Sequence, residues 1–275
     1  MTQVAYQGAI TSTVRFGDRV DGFLAIPEQG TGPFGAVILG HERYGLVQHT
    51  LDLTAKFARY GYVAIAPDMF SRWGGDKAAL NRGDISVPLS DDDLRSYMSD
   101  SLDYLLDHPQ VKPDRIAAMG VCQSGSYPLQ LNSVRPEIAA NIVMYGGAQK
   151  GEWQLSERRS EPYEDALSRL TAPILGIFGE KDFIISVEDV FHLATVLMEK
   201  RKSFDITIFP DMPHGWLNDT MPGRYRPKEA EAAWNLVIRF LERLDAGELA
   251  SDRVFWKLQS EISPDYDFTK NVRLA

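Results

Sequence analysis

Cys122, Asp182 and His214 have the types and the chain order for nucleophilic chemistry at a carbonyl. A thiol becomes a strong nucleophile near neutral pH when a histidine within hydrogen-bond reach takes its proton. A carboxylate on the far ring nitrogen then fixes the tautomer. Cys122 is the single cysteine of the chain and stands in the stretch Arg115–Gly125, RIAAMGVCQSG. The apolar run Ile116–Met119 predicts a buried strand that breaks at Gly120, presents Cys122 and resumes as a helix after Gly125. That layout is a nucleophile elbow, with small Gly120 and Ser124 two residues to either side so that the backbone can take a strained turn. The helix would aim its N-terminal N–H groups at the sulfur and favour thiolate. A lone cysteine is ordinarily a small buried hydrophobe. Ser124, flanked by small residues at 122 and 126, is a second nucleophile in the same turn, one turn late after the strand. His41, which also follows a strand, is the rival of His214.

Each of the three must be carried by its own strand. Thr13–Phe16 and Val20–Ile26 predict a hairpin across Gly17-Asp18-Arg19. Ala36–Leu39 reads as a strand covered on both faces and runs into His41-Glu42-Arg43-Tyr44-Gly45. A helix is expected over Leu51–Tyr60, ended by Gly61, then a strand over Tyr62–Ala66. Ser71–Pro88 reads as a long irregular loop. Ser90 and Asp93 open a helix to about His108 in the manner of a capping box. After the Cys122 strand come strands over Ile142–Tyr145, Ile174–Phe178 and Phe204–Phe209. A charged excursion covers Gln149–Arg169, and helices cover Val187–Lys200 and the stretch from Pro227 through Leu244. Val254, Phe255, Leu258 and Ile262 stand at helical spacing and predict a short terminal helix, followed by an extended tail. It packs on its own domain or forms a dimer contact. Alternating strands and helices call for a parallel sheet with helices on both faces.

Nucleophile, acid and histidine in this order, each just after a strand, follow the chain order of α/β-hydrolases. Five local stretches sharpen the likeness: His41-Glu42-Arg43-Tyr44-Gly45-Leu46, Ala66-Pro67-Asp68-Met69-Phe70 with Arg72, Met119-Gly120-Val121-Cys122, Phe178-Gly179-Glu180-Lys181-Asp182, and Pro213-His214-Gly215-Trp216. From Val20 to Leu244 the chain resembles the dienelactone hydrolase family (carboxymethylenebutenolidase-like). The resemblance implies an α/β-hydrolase fold and Cys122, Asp182 and His214 as the triad. Glu42 would pair with the resting cysteine and help to generate thiolate. Backbone N–H groups of Arg43 and Gln123 would form the oxyanion hole, and Arg72 would meet a substrate carboxylate. Two positions depart from the family pattern: Ser124 replaces the first of two elbow glycines, and Asn218 stands where a second arginine would be. Tyr44, Trp73 and Trp216 are candidates to line the substrate site.

The rest of the sequence bounds the setting. With 275 residues and 44% hydrophobic content, the chain can bury a large core in one α/β domain; the resemblance makes this a single α/β-hydrolase domain over 1–275, its core about 13–245 and a C-terminal extension over 246–275. A net charge of −9 speaks against nucleic acid as a partner. One cysteine, no readable secretory signal and no long uncharged apolar run place it in the cytoplasm with no membrane partner. No metal or organic cofactor is called for. The expected partner is a small ester or lactone, on a monomer or homodimer. A lyase or isomerase, or a ligand-binding protein on the same scaffold, are the alternatives.

Overall fold

Four of the strands are apolar runs with no exposed face, which dictates that helices cover them on both sides. The computed structural model describes residues 6–250 and 252–267. The first part of the chain supplies β1 (Ala9–Phe16), β2 (Val20–Pro27), β3 (Phe34–Gly40), α1 (Gln48–Arg59), β4 (Val63–Pro67), α2 (Lys77–Arg82), α3 (Asp91–Leu106) and β5 (Val111–Val121). The second supplies α4 (Tyr127–Asn132), β6 (Ala140–Met144), α5 (Tyr163–Ser168), β7 (Ile174–Gly179), α6 (Val187–Glu199), β8 (Phe204–Phe209), α7 (Pro227–Asp245) and β9 (Trp256–Ser260). All described strands join one sheet in the order β1-β2-β4-β3-β5-β6-β7-β8-β9. The β1–β2 and β2–β4 pairs are antiparallel, and the rest are parallel. This is the α/β-hydrolase architecture expected from the sequence.

Side-chain alternation divides the core between the two faces. Val37 and Leu39 of β3 join a cluster with Phe57 of α1 and Trp234, Val237 and Phe240 of α7. Ala36 and Ile38 point the other way, toward Leu94, Met98 and Leu102 of α3. Each large apolar side chain removed from water in this way contributes about 1.5–3 kcal/mol. Local chemistry sets the helix starts. The Ser90 hydroxyl accepts the Asp93 N–H at 3.1 Å, Ser186 and Asp189 cap α6 reciprocally, and proline opens α7.

Parallel register sets the position of the functional loops. Gly40 of β3 is paired with Gly120 of β5, so Glu42 and Cys122 each lie two residues beyond the same rung. The loops after β7 and β8 leave the same rim and carry Asp182 and His214. Neighbouring strands about 4.8 Å apart therefore bring together residues remote in sequence.

Three segments differ from expectation. Ser71–Pro88 contains α2, whose Asp76 cap accepts the Ala79 N–H and whose Gly83 ends it at φ 80°. Leu80 is its one buried residue, so no apolar period marks it. The Gln149–Arg169 excursion is not wholly irregular, because it holds a 3₁₀ turn (Lys150–Trp153) and α5. The expected terminal helix is instead β9, laid parallel on β8. The spacing of Val254 and Leu258 fits both periods, and the open edge of β8 supplies the hydrogen bonds. The tail beyond 267 lies outside the described residues.

The elbow needs its glycines for space. A Cβ on Gly125 would stand 2.3 Å from the Gly146 Cα, and one on Gly120 would stand 1.9 Å from the Ser124 carbonyl oxygen. Gly125→Ala is accordingly expected to cost about 1–3 kcal/mol, read as a lower urea midpoint. An unchanged midpoint would contradict this close approach.

Candidate active site

Cys122 leaves β5 in a left-handed conformation, φ 56°, which costs a non-glycine residue of order 1–3 kcal/mol. The next turn is a single 3₁₀ turn, Cys122–Ser124, tied by the Gly125 N–H donating to the Cys122 carbonyl at 3.0 Å. The helix expected to point at the sulfur begins only at Tyr127 and is six residues long. Ser124 is fully buried. Its hydroxyl accepts the Val121 N–H at 2.8 Å and donates to the Val121 carbonyl at 3.0 Å, so its hydrogen-bonding capacity holds the turn.

The thiol is half-buried and faces an imidazole. His214 Nε2 lies 3.0 Å from Cys122 Sγ, and Nδ1 lies 2.8 Å from Asp182 Oδ2. Asp182 is buried, and its other oxygen accepts the N–H groups of Ile184 and Ile185 at 2.8 and 3.0 Å. Tyr145 and Phe183 stand edge-on to the imidazole. Burial alone would push His214 down. The hydrogen bonds to Asp182 and to the sulfur, with the negative charge on both, push it up to about 10. Such a chain can move a proton between sulfur and ring while the carboxylate holds the ring in one orientation.

Buried Glu42 is held differently from expectation. Asn218 Nδ2 donates to Oε2 at 2.5 Å and the Tyr145 hydroxyl to Oε1 at 3.4 Å, and neither carboxylate oxygen is bonded to Cys122. Burial and the neighbouring charge of Glu42 raise the Tyr145 phenol well above its ordinary value, so the hydroxyl stays a donor. Asn218 is locked in turn, its Oδ1 accepting the N–H and hydroxyl of Thr220. His41 is buried beside Glu42, and Burial holds its imidazole below the ordinary value. Its Nε2 accepts the Met69 N–H at 3.0 Å, which assigns the ring proton to Nδ1, 2.6 Å from the Glu42 carbonyl. Glu180 joins the two neighbouring loops. It accepts the Asp211 N–H at one oxygen and the Ser263 N–H at the other, both at 2.8 Å.

Other expected residues are placed elsewhere. Arg72 is engaged by its own chain: its guanidinium donates to the Asp18 carbonyl and the Ser96 hydroxyl, each at 2.8 Å, pairs with Asp100 and stacks on Tyr97. No site residue is among those partners. Trp216 has no exposed surface and packs against Tyr145 and Phe209. It backs the site and cannot line an open pocket. Tyr44, half-buried, lies under the Arg43 guanidinium, and its carbonyl accepts from Asn81. Arg43 itself reaches the Gly83 carbonyl at 2.6 Å. The Gln123 side chain donates to the Val87 carbonyl at 3.1 Å. Trp73, half-buried, meets Phe70 edge-on. Nothing in the sequence marks Tyr145 or Glu180 for these roles, and Asn218 is marked only as the position, four residues after His214, where the resemblance would place a second arginine. Among the described residues no group of three or more His, Cys, Asp or Glu side chains is disposed to hold a metal ion, and no helix is long and apolar enough to cross a membrane.

Comparison with known proteins adds an independent finding. The model of the dienelactone hydrolase family matches residues 20–244. Proteins of Yersinia pestis and Escherichia coli (strain K12), both named "Putative carboxymethylenebutenolidase", are 27% and 28% identical over 229 and 247 residues. The matches cover 81% and 87% of this chain, and 83% and 88% of theirs. A solved dienelactone hydrolase-like promiscuous phosphotriesterase from metagenomic libraries shares the fold, with a TM-score of 0.71 and 19% identity over 86% of this chain and 99% of its own.

The raised imidazole has a measurable sign. His214 is expected to keep its proton above the ordinary value of about 6.5 and to lose it as pH rises through about 10. Imidazole NMR shifts of His214 should therefore titrate near the higher value. Asp182→Asn should move the midpoint down, and a wild-type midpoint near 6.5 would contradict the assignment.

Proposed function

Because this chain belongs to the dienelactone hydrolase family and is a hydrolase, we propose that it cleaves a small ester or lactone through an acyl-cysteine formed on Cys122. The observation that carries this reading is the continuous chain Sγ–Nε2 at 3.0 Å and Nδ1–Oδ2 at 2.8 Å. His214, which holds the proton given up by the thiol, leaves the sulfur free to attack the carbonyl carbon. The carbonyl π electrons move to oxygen, where the N–H groups of Arg43 and Gln123 hold the developing charge. Collapse of the tetrahedral adduct breaks the carbon–oxygen bond, and the leaving oxygen takes the proton from His214. Water then gives a proton to His214 and attacks the thioester carbon. Expulsion of the sulfur, reprotonated by His214, releases the acid. One water is consumed; an ester yields acid and alcohol, and a lactone yields one hydroxy acid.

Asp182 keeps Nδ1 protonated throughout and offsets the charge on the ring. Glu42 is assigned an activating part. Set two residues beyond the β3–β5 rung that Cys122 also follows, it helps His214 to draw off the thiol proton. Asn218 and Tyr145 hold its carboxylate in place. Tyr44 and Trp73 supply aromatic surface near the loops that flank the reacting carbon. Arg72, already bonded to Asp18, Ser96 and Asp100, is left out of substrate binding.

Cys122→Ala should reduce ester turnover by about 10⁴-fold or more, and wild-type protein given a slowly deacylating ester should show the acyl mass on Cys122. Undiminished hydrolysis by Cys122→Ala would remove the mechanism. Glu42→Gln is expected to slow labelling of Cys122 by iodoacetamide, and identical labelling kinetics would end the activating role of Glu42.

A further inference from the structure

His41 is a buried titratable group that the mechanism above does not use, yet both ring nitrogens are engaged at the edge of the site. We propose that His41 is a positioning residue for the oxyanion hole: it orients the peptide joining Glu42 to Arg43, and thereby the Arg43 N–H. The proposal rests on the reading of Cys122 as the nucleophile and of Arg43 as an oxyanion donor.

An amide is rigid. The peptide between Glu42 and Arg43 is planar, with its C=O and N–H directed oppositely. Whatever fixes the oxygen therefore fixes the direction of the hydrogen. Two donors reach that oxygen: His41 Nδ1 at 2.6 Å and the Gly45 N–H at 3.3 Å. The shorter bond is the imidazole's, and it comes from a ring that cannot turn. On its other side Nε2 accepts the Met69 N–H at 3.0 Å, from the segment just after β4. Phe70 packs against the ring with centroids 5.1 Å apart. Only 3% of His41 is exposed, so water does not compete for either nitrogen. The imidazole thus bridges the loop after β3 to the loop after β4.

This bridge acts at the moment when charge appears on the substrate oxygen. An oxyanion donor contributes only if it is aimed before the reaction, because reorienting a peptide during the step would take back the stabilisation. The Gly45 N–H makes the longer of the two bonds to that oxygen, at 3.3 Å, so the imidazole supplies the tighter restraint on the peptide. His41 touches neither substrate nor sulfur in this assignment.

The test separates the oxyanion step from the nucleophile. Alkylation of Cys122 by iodoacetamide is displacement at a saturated carbon and forms no oxyanion, whereas ester hydrolysis does. In His41→Leu the ratio of kcat for a p-nitrophenyl ester to the alkylation rate should fall by about 10²-fold or more, with KM changed far less than kcat. In His41→Asn, Nδ2 can replace the Nδ1 donor, and most of the ratio should return. Trapping of Cys122 by an aldehyde, whose hemithioacetal oxygen occupies the same hole, should weaken in His41→Leu and recover in His41→Asn. Equal loss of hydrolysis and alkylation would mean general disturbance and overturn the proposal. An unchanged ratio in His41→Leu, or no recovery with asparagine, would also overturn it. If wild-type protein hydrolyses the ester no faster than Cys122→Ala, the nucleophile reading falls and takes this assignment with it. An unchanged ratio beside normal wild-type turnover defeats the His41 proposal alone.

Discussion

A cysteine forced into a left-handed backbone conformation is the constraint from which the arrangement of the site follows. At φ 56°, Cys122 lifts its sulfur off the end of β5, and it can stay there only because the surrounding backbones leave no alternative. Gly146 approaches so closely that a Cβ on it would stand 2.2 Å from the Cys122 carbonyl, and the Ser124 hydroxyl closes the turn on Val121 from both sides. Serine at the position where the family has glycine is thus compatible with the turn. It is turned inward, and its polarity is absorbed by the backbone. The strain at one residue is balanced by tight packing at several others.

Charge is arranged with the same economy of space. His214 lies between the Cys122 sulfur and the buried Asp182 carboxylate, so a proton on the ring has a partner on either side. Glu42 brings a further carboxylate into the same buried region, and donors meet both of its oxygens. Asn218 matters here because it is neutral: an amide satisfies Glu42 without adding a charge that would compete with the imidazole.

The parts of this protein that a sequence discloses are those that local pattern controls. The β3, β5, β7 and β8 runs are apolar enough to be read directly, and the residues after them inherit a position on one rim. That reasoning brings Cys122, Asp182 and His214 to the same place without coordinates. It fails where meaning depends on a distant partner. Arg72 shows a free guanidinium in the sequence, but Asp18 and Asp100 are 54 and 28 residues away along the chain, and only folding brings them together. Trp216 sits beside His214 in sequence, yet its ring turns into the core. Asn218 and Tyr145 become partners of Glu42 only across separations of 176 and 103 residues. The terminal strand was concealed by a coincidence of periods, since positions four apart lie on one face of a helix and on one face of a strand alike.

The hydrogen bond from Ser263 to Glu180 bears on how the molecule matures. Glu180 precedes Asp182 by two residues and also holds Asp211, three residues before His214, so the segment after β9 fastens the two loops that present carboxylate and imidazole. During synthesis the sulfur-bearing turn emerges more than a hundred residues before that fastening exists. A ribosome-bound chain can therefore build most of its sheet while the acid and base loops still lack one of their ties, and full ordering of the rim waits for the polypeptide to pass residue 263.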